Sequence, residues 1–567
     1  MQTHIAPPVP LATALRESLR QGYSFATFRA DAMAALIVSL VALPLAMALA
    51  IAVGLPPQAG IYTAIVAGIV TPLLGGSVMQ VSGPTAAFVV IIAPIIAEHG
   101  LRGLILAEIM AGIMLLLLAW ARFGRFISFV PYPVTTGFTA GIAVVLAVLS
   151  LNDLLGLGIA DLTGSFWHKL TLIAGALPQA KWPELAVGLV SLAVMLLGKR
   201  LSRALPSAIL GVLSGTLLAL LLSQYGYDIE TIGSRFSYDT PEGTVFGIPP
   251  YGPQFSWFAS EGLFAWPRYD ELRVLLLPAA VIAALAALES LLSATVADGL
   301  AHTKHQPNAE LAAIGISNIL SGFASGIPAT GAIARTTTNI KSGARTPIAS
   351  ALHGVFILVY VLSLAPLIAY VPMAALAALL VVVAYNMSHY RQFLRMLRIA
   401  PRQDVLVLLI CFGLTVFIDM VAGVAIGMIL AAVLFVQRIA AMTDISFEEG
   451  GQGERQSLPA NVMLYHIHGP LFFATVERVL DRTSFLRRSI DTLIFDMVHV
   501  PLIDITGQMA MRQLLDSPSL AGKTIYICAN AEISARLRHT LEKTPHARLV
   551  FCPSVNDALE ASKASGA

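Results

Sequence analysis

Six polar side chains occur where an apolar chain should not carry them. Glu289 lies inside "AALAALESLLSATVADGL" (283–300), and Ser293 follows one turn later on the same helical face. Arg335 closes "GAIAR" (331–335). Ser82 and Thr85 belong to "VSGPTAA" (81–87), and Thr330 to "GIPATGAIA" (326–334). A carboxylate at membrane depth is costly and is a functional candidate by default. Desolvation works against its ionised form, so Glu289 could carry a proton; it could also ligate a coupling cation or pair with a fixed base. Arg335 presents a planar fork suited to a carboxylate or another oxyanion, or it pairs with Glu289. Gln58 and Tyr62 are secondary candidates. No nucleophile–base pair, phosphate loop or metal-ligand spacing appears, so the reading is a non-enzyme with no metal and no cofactor.

These residues need a scaffold, and composition says which kind. The chain has 567 residues, 57% hydrophobic and 12% charged, against about 25% charged in soluble domains. Mean hydropathy is +0.78. Fourteen apolar segments fall near 31–53, 57–74, 84–98, 103–121, 131–149, 183–198, 206–224, 271–297, 309–321, 331–340, 347–369, 371–386, 404–419 and 420–437. With residues 1–30 as a cytoplasmic lead-in, the inner loops collect Arg122, Arg125, Arg200, Lys341, Arg391, Arg395, Arg398 and Arg402. That bias places both termini in the cytoplasm. The net charge of +2 and the absence of a basic arm give no sign of nucleic acid. Cys411, Cys528 and Cys552 form no disulfide framework.

The two Gly/Pro interruptions are related. Residues 41–55 align with 286–300 at an offset of 245, 75–87 with the second interruption at 246, and "FVP" (129–131) with "YVP" (370–372) at 241. Seven segments separate the copies, so the second is inverted across the membrane. Each interruption then reads as an extended piece followed by a short helix that starts near the midplane. A helix start exposes unpaired N–H groups and about half a positive charge. Two such starts facing each other make an anion site. Ser82, Gly83, Pro84, Thr85 and Ala86 would form one half, and Ala329, Thr330, Gly331, Ala332 and Ile333 the other.

After Arg438 the composition changes. Residues 439–460 read as a linker, with "TDISFEEGGQGERQS" (443–457) a polar, Gly-containing stretch. From 461 to 562, strand patterns at 461–469, 491–497, 524–530 and 548–552 alternate with helical ones at 475–486, 507–515 and 532–543. That alternation predicts a small α/β domain.

The residues quoted also resemble a known family. "GLPPQAGIYTAIVAGIVTPLLGGS" (54–77), "VSGPTAAFVVI" (81–91), "LESLLSA" (288–294) and "GAIARTTTNIKSGARTP" (331–347) are similar to SulP anion transporters. The carboxy-terminal region resembles a STAS domain. "PLAMALAI" (44–51) with "SGPTAAFVVI" (82–91) looks most like the bacterial C4-dicarboxylic acid branch. The resemblance implies a seven-plus-seven inverted fold. Segments 1–4 and 8–11 would form a core domain, and 5–7 and 12–14 a gate domain. Substrate would lie between the third and tenth helix starts, and core movement against the gate would give alternating access.

In bicarbonate-transporting relatives an acidic residue at the Glu289 position and a hydroxyl at the Ser293 position help bind sodium. Here Ile333 replaces a threonine of that site. That weakens sodium, so the implied coupling ion is a proton, with sodium as the alternative. Leu45 stands where some proton-coupled relatives carry a glutamate, so coupling cannot rest there and Glu289 is left as the coupling site. Related soluble STAS domains carry a phosphorylated Asp-Ser-Ser-Gly motif; Asp504-Ile505-Thr506-Gly507 stands here, so Thr506 is either a phosphosite or a helix cap. The expected protein is a homodimer in the bacterial inner membrane. It would import small dicarboxylates and meet a cytoplasmic protein partner at the STAS domain. Sulfate or bicarbonate is the alternative cargo. An anion sensor signalling through the STAS domain is the alternative role.

Overall fold

Proline and hydroxyl residues set most helix starts. Pro57, Pro307 and Pro347 occupy first-turn positions, where a missing N–H has no consequence. Ser24 and Thr346 accept backbone N–H bonds from Thr27 and Ile348 as caps. The computed structural model describes residues 10–125, 131–159, 162, 164–201, 205–240, 243–259, 262–418, 420–449, 458–459, 461–476, 490–517, 520, 522–541 and 548–565. It divides into two units, residues 1–428 and 429–567.

The first unit is helical. Its elements are α1 (Thr13–Arg20), α2 (Phe25–Ala52), α3 (Pro57–Leu74), β1 (Ser82–Pro84), α4 (Val89–Trp120), α5 (Tyr132–Leu154) and α6 (Phe166–Ala176). Then come α7 (Trp182–Leu201), α8 (Ser207–Gln224), α9 (Ile232–Arg235) and a hairpin of β2 (Ser237–Thr240) and β3 (Gly243–Phe246). The second half holds α10 (Tyr269–Ala301), α11 (Pro307–Phe323), β4 (Ala329–Gly331), α12 (Ile333–Lys341), α13 (Pro347–Ile368) and α14 (Met373–Met387). It continues with α15 (Tyr390–Ile399), α16 (Arg402–Phe417) and α17 (Met420–Ala441), which runs on into the second unit.

Each of the fourteen apolar segments overlaps a helix, the third and tenth beginning at the ends of β1 and β4. The third and fourth share α4, which breaks at Gly100, where φ is 64°. Among the described residues, nine helices are long and apolar enough to cross a membrane, or ten with the bent pair 166–179 and 182–198. Of the rest, α11 and α16, at 17 and 16 residues, fall just short of that length, and α12 is the short helix that follows β4. Helices α6 and α15 were not among the segments, because each is too short or too polar to register as a span. They occupy matching places, α6 after α5 and α15 after α14.

Packing repeats with the sequence. The contact of α4 with α11 is matched by that of α13 with α3, and the contact of α5 with α16 by that of α14 with α7. Small residues permit these approaches. A Cβ on Gly112 would come 2.6 Å from the Gly315 carbonyl oxygen, and one on Gly315 2.8 Å from that of Gly112. On the repeat axis, Thr71 and Ser317 share a 2.7 Å hydroxyl hydrogen bond; they are 246 residues apart.

The second unit contains a five-stranded sheet. Its order is β5 (Asp444–Glu449), β6 (Val462–His468), β7 (Thr492–Met497), β8 (Thr524–Ala529) and β9 (Arg548–Cys552). Strands β6 to β9 are parallel, and β5 is an antiparallel edge. Helices α18 (Ile505–Leu515), α19 (Ala531–Leu541) and α20 (Val555–Ser565) complete it. The stretch read as a linker therefore contains an edge strand: Ile445 and Phe447 pair with Ile467 and Tyr465. Its acidic, Gly-rich continuation hid the alternation. Residues 450–457, most of the helical pattern at 475–486, and Asp419 lie outside the described residues.

Gly112→Val should overpack the α4–α11 contact and destabilise the protein by about 1–3 kcal/mol; a thermal-unfolding midpoint equal to the parent's would contradict this packing. In the second unit, burial pushes the Cys528 thiol up from 9.0 to about 12. Its contribution to stability is full below pH 9 and declines as pH rises toward 12. Maleimide at pH 8 should therefore leave Cys528 unlabelled until the domain unfolds, as read by peptide mass mapping.

Candidate functional site

The two interruptions meet. Strand β1 pairs antiparallel with β4, with Ser82 opposite Gly331, Gly83 opposite Thr330 and Pro84 opposite Ala329. The ladder extends by Ala332 N–H donating to Val81 O at 2.9 Å. Buried backbone must be paired, and each three-residue piece finds its partner in the other repeat. Thr85 leads into a short 3-10 turn, Ala86–Phe88, which continues into α4. Ala332 leads into α12. Two helix starts thus diverge from one strand pair, as the repeat predicted.

Each repeat also braces the other. Thr63 of α3 accepts from Ile327 N–H at 2.7 Å and donates to Ile327 O at 2.8 Å. Within the second repeat, Asn318 of α11 adds to this by holding both N–H and O of Ala329, at 2.9 and 3.0 Å. On the other side, Glu310 of α11 accepts from the N–H groups of Gly76 and Ser77, at 2.8 and 2.9 Å, and from Gln80 Nε2 at 2.8 Å. Glu310 fixes the approach to β1, as Thr63 and Asn318 fix the approach to β4.

The charged candidates flank the first helix start. Glu289, half-buried on α10, accepts from the Thr85 hydroxyl at 3.0 Å. Arg335, 3% exposed, donates from Nη2 to the Pro84 carbonyl. Among the described residues its Nη1 and Nε have no hydrogen-bond partner. Glu289 and Arg335 therefore grip neighbouring residues, Thr85 and Pro84, without forming an ion pair with each other. A Cβ on Gly83, whose φ is +155°, would stand 2.7 Å from Arg335 Nη1. The glycine makes room for the guanidinium.

The remaining candidates divide. Ser82 is fully buried, with no hydrogen-bond partner for its hydroxyl among the described residues. Thr330 is occupied, donating to Ala286 O at 3.1 Å and bonded to Ser290 at 2.8 Å. Ala86, Gly331 and Ala332 are buried, and Ile333 is 39% exposed. Ser293 does not join Glu289; it bonds Thr336 at 3.2 Å. Gln58 and Tyr62 lie on α3 with no hydrogen bond to the strands. Thr506 is exposed at the second position of α18, and the cap is Asp504, which accepts from Gly507 N–H at 2.7 Å. The cap reading of Thr506 is thereby removed.

Sequence reasoning missed Ser290, which accepts from Gly331 N–H at 3.0 Å, and Thr336, which accepts from Val81 N–H at 3.0 Å. It also missed Glu310. The rule that picked out Glu289, a carboxylate inside an apolar window, would have found Glu310 within 309–321.

Two cavities approach from opposite ends of α2. One, of about 650 Å³, follows α12 from Ala334 and Arg335 to Lys341 and is walled by α2, α8 and α14. The other, of about 530 Å³, lies at the far end of α2 beside the first half of α4, α5 and α6. It holds Lys169, and Arg235 clamped by Asp153 at 2.8 Å and Glu230 at 2.5 Å. The first cavity reaches Leu45 and the second begins at Ile51, about 9 Å along the axis.

The sequence profile of the sulfate permease family matches residues 28–411, and that of the STAS domain matches residues 458–558. The putative sulfate transporter YvdB of Bacillus subtilis (strain 168) is 37% identical over 498 residues, 88% of this chain and 90% of its own. The bicarbonate transporter BicA of Picosynechococcus sp. is 27% identical over 554 residues, 92% of this chain and 91% of its own. Among solved structures, the transmembrane domain of a cyanobacterial BicA superposes with TM-score 0.61 at 25% identity, covering 72% of this chain and 98% of that one. Murine Slc26a9, an anion transporter solved in the inward-facing state, gives TM-score 0.82 at 18% identity, over 97% and 94% of the two chains; it shows the shared fold.

Glu310→Ala should leave two buried N–H groups unpaired, at roughly 1–3 kcal/mol each. The expected result is a lower unfolding temperature and faster proteolysis near 75–80; wild-type stability would contradict the bracing role.

Proposed function

The chain belongs to the sulfate permease family, and we propose that it is a secondary active transporter that carries C4-dicarboxylates inward with protons. It is a multi-pass membrane protein and an anion transporter, not an enzyme. The observation that carries the proposed site is Arg335: a buried guanidinium with two nitrogens unpartnered among the described residues, at the start of α12 and on the wall of a cavity. An oxyanion arriving there meets a fixed planar donor and the free N–H groups of the first turn.

Coupling follows from placement. Glu289 and Arg335 share the turn at Pro84–Thr85. A second negative charge entering this low-dielectric region is repelled by an ionised Glu289. A proton taken up at Glu289 removes that repulsion, so anion and proton bind together. Ser293, already bonded to Thr336, and Ile333, in place of a threonine, supply little for sodium. The two cavities at opposite ends of α2 suit alternating access, with one opening as the other closes.

The dicarboxylate reading rests on "PLAMALAI" and "SGPTAAFVVI". The names of the relatives favour a second reading, sulfate or bicarbonate, for the same site. Regulation would enter through the STAS domain, where exposed Thr506 is available to a kinase or a protein partner. The expected setting is a homodimer in the bacterial inner membrane with both termini cytoplasmic.

Purified protein in proteoliposomes should accumulate succinate when an inward proton gradient is imposed; uptake of sulfate or bicarbonate that succinate fails to inhibit would overturn the cargo. Glu289→Gln should lose dependence on the pH gradient yet retain exchange of pre-loaded anion, and unchanged coupling would remove this role from Glu289. Arg335→Ala should raise KM at least ten-fold at equal abundance, and Gly83→Ala should do the same by displacing the guanidinium; a loss of abundance alone would point to folding. Removing 455–567 should leave measurable flux, whereas a sensor would lose its output.

A further inference from the structure

Helix α15 carries a row of arginines that neither the transport site nor the packing uses. Arg391, Arg395 and Arg398 recur at i, i+4 and i+7, the spacing of one helical face, and Arg402 opens α16 just past the extended break at Ala400–Pro401. All four are exposed. Arg391 bonds its neighbour Tyr390 at 3.1 Å. Among the described residues, none of the other three has an ion-pair partner, and α15 itself contains no Asp or Glu.

The opposite side of α15 is anchored. Phe393 packs on Phe412 of α16, with ring centroids 5.4 Å apart, and Gln392 accepts from the Tyr132 hydroxyl of α5 at 2.9 Å. The outward side mixes the arginines with exposed apolar groups: Ile399 is 75% exposed, Leu394 45% and Tyr390 40%. Water is a poor partner for that mixture. A bilayer surface fits it, since aliphatic side chains can enter the acyl boundary while guanidinium groups fork onto phosphate.

Position agrees. Asn386, just ahead of α15, and Lys341 line the same cavity, so α15 lies at the Lys341 end of the membrane unit. The repeat-related helix α6, at the other end, reads "FWHKLTLIAGA", with one lysine and no arginine. The row is therefore a property of one membrane face and not a requirement of the fold. We propose that α15 is an interfacial clamp for anionic phospholipid headgroups in the leaflet at the Lys341 end.

Detergent-purified full-length protein, titrated with phosphatidylglycerol or phosphatidylcholine and read by native mass spectrometry, tests this. The parent should retain phosphatidylglycerol at least ten-fold better, with the preference shrinking at high salt. Arg391→Gln/Arg395→Gln/Arg398→Gln/Arg402→Gln should erase the preference, and a four-lysine version should restore much of it. Arg395→Gln alone should weaken retention about five-fold, and it serves as the test if the quadruple variant does not fold. The proposal fails if the glutamine variants keep the preference. It fails equally if millimolar inorganic phosphate displaces the lipid, which would mark a free-anion site, or if the substitutions release a bound acidic protein with lipid retention unchanged.

Discussion

An extended backbone inside a membrane has to find hydrogen-bond partners within the protein, and this molecule meets that demand with a single strand pair. Residues 82–84 and 329–331 are too short to be helices and too deep to be hydrated. Each satisfies the other, and Ser290, Thr336, Asn318, Thr63 and Glu310 complete the pairing around them. Everything proposed about the site depends on this arrangement. It fixes two helix starts at one location and holds Pro84 where Arg335 can reach its carbonyl.

The pairing is reciprocal because the chain is a repeat. Thr63 and Asn318 steady the strand of the second half, and Glu310 that of the first, so neither strand is positioned by its own repeat alone. The shared hydroxyl bond between Thr71 and Ser317 marks the axis about which this exchange takes place. The glycines at 112 and 315 apply the same logic to packing: each makes room for the other's backbone.

The sequence revealed the scale of this architecture more readily than its fine contacts. The fourteen segments, the inverted repeat and the meeting of the interruptions follow from apolar run length and from Gly and Pro placement, which act locally. The partner of each hydroxyl does not. Ser290 and Ser293 both stand inside one apolar helix, and only the tertiary fold assigns Ser290 to Gly331 and Ser293 to Thr336. Glu310 was obscured because a carboxylate near a helix start reads as an ordinary first-turn residue. Edge strand β5 was missed because "GGQGERQS" follows it and pulled the whole stretch toward a loop reading. Helices α6 and α15 were missed because span detection averages away an amphipathic ten-residue piece.

The distance in sequence between the paired strands has a consequence for biogenesis. Pro84 meets Ala329, about 245 residues further on, and synthesis at about 5–20 residues per second separates them by roughly 12–50 s. Throughout that interval the first half sits in the bilayer with an unclosed seam. Assembly in the cell is therefore a matter of waiting: the insertion machinery, or lipid and water held in the gap, must shelter the early strand until its late partner emerges from the ribosome.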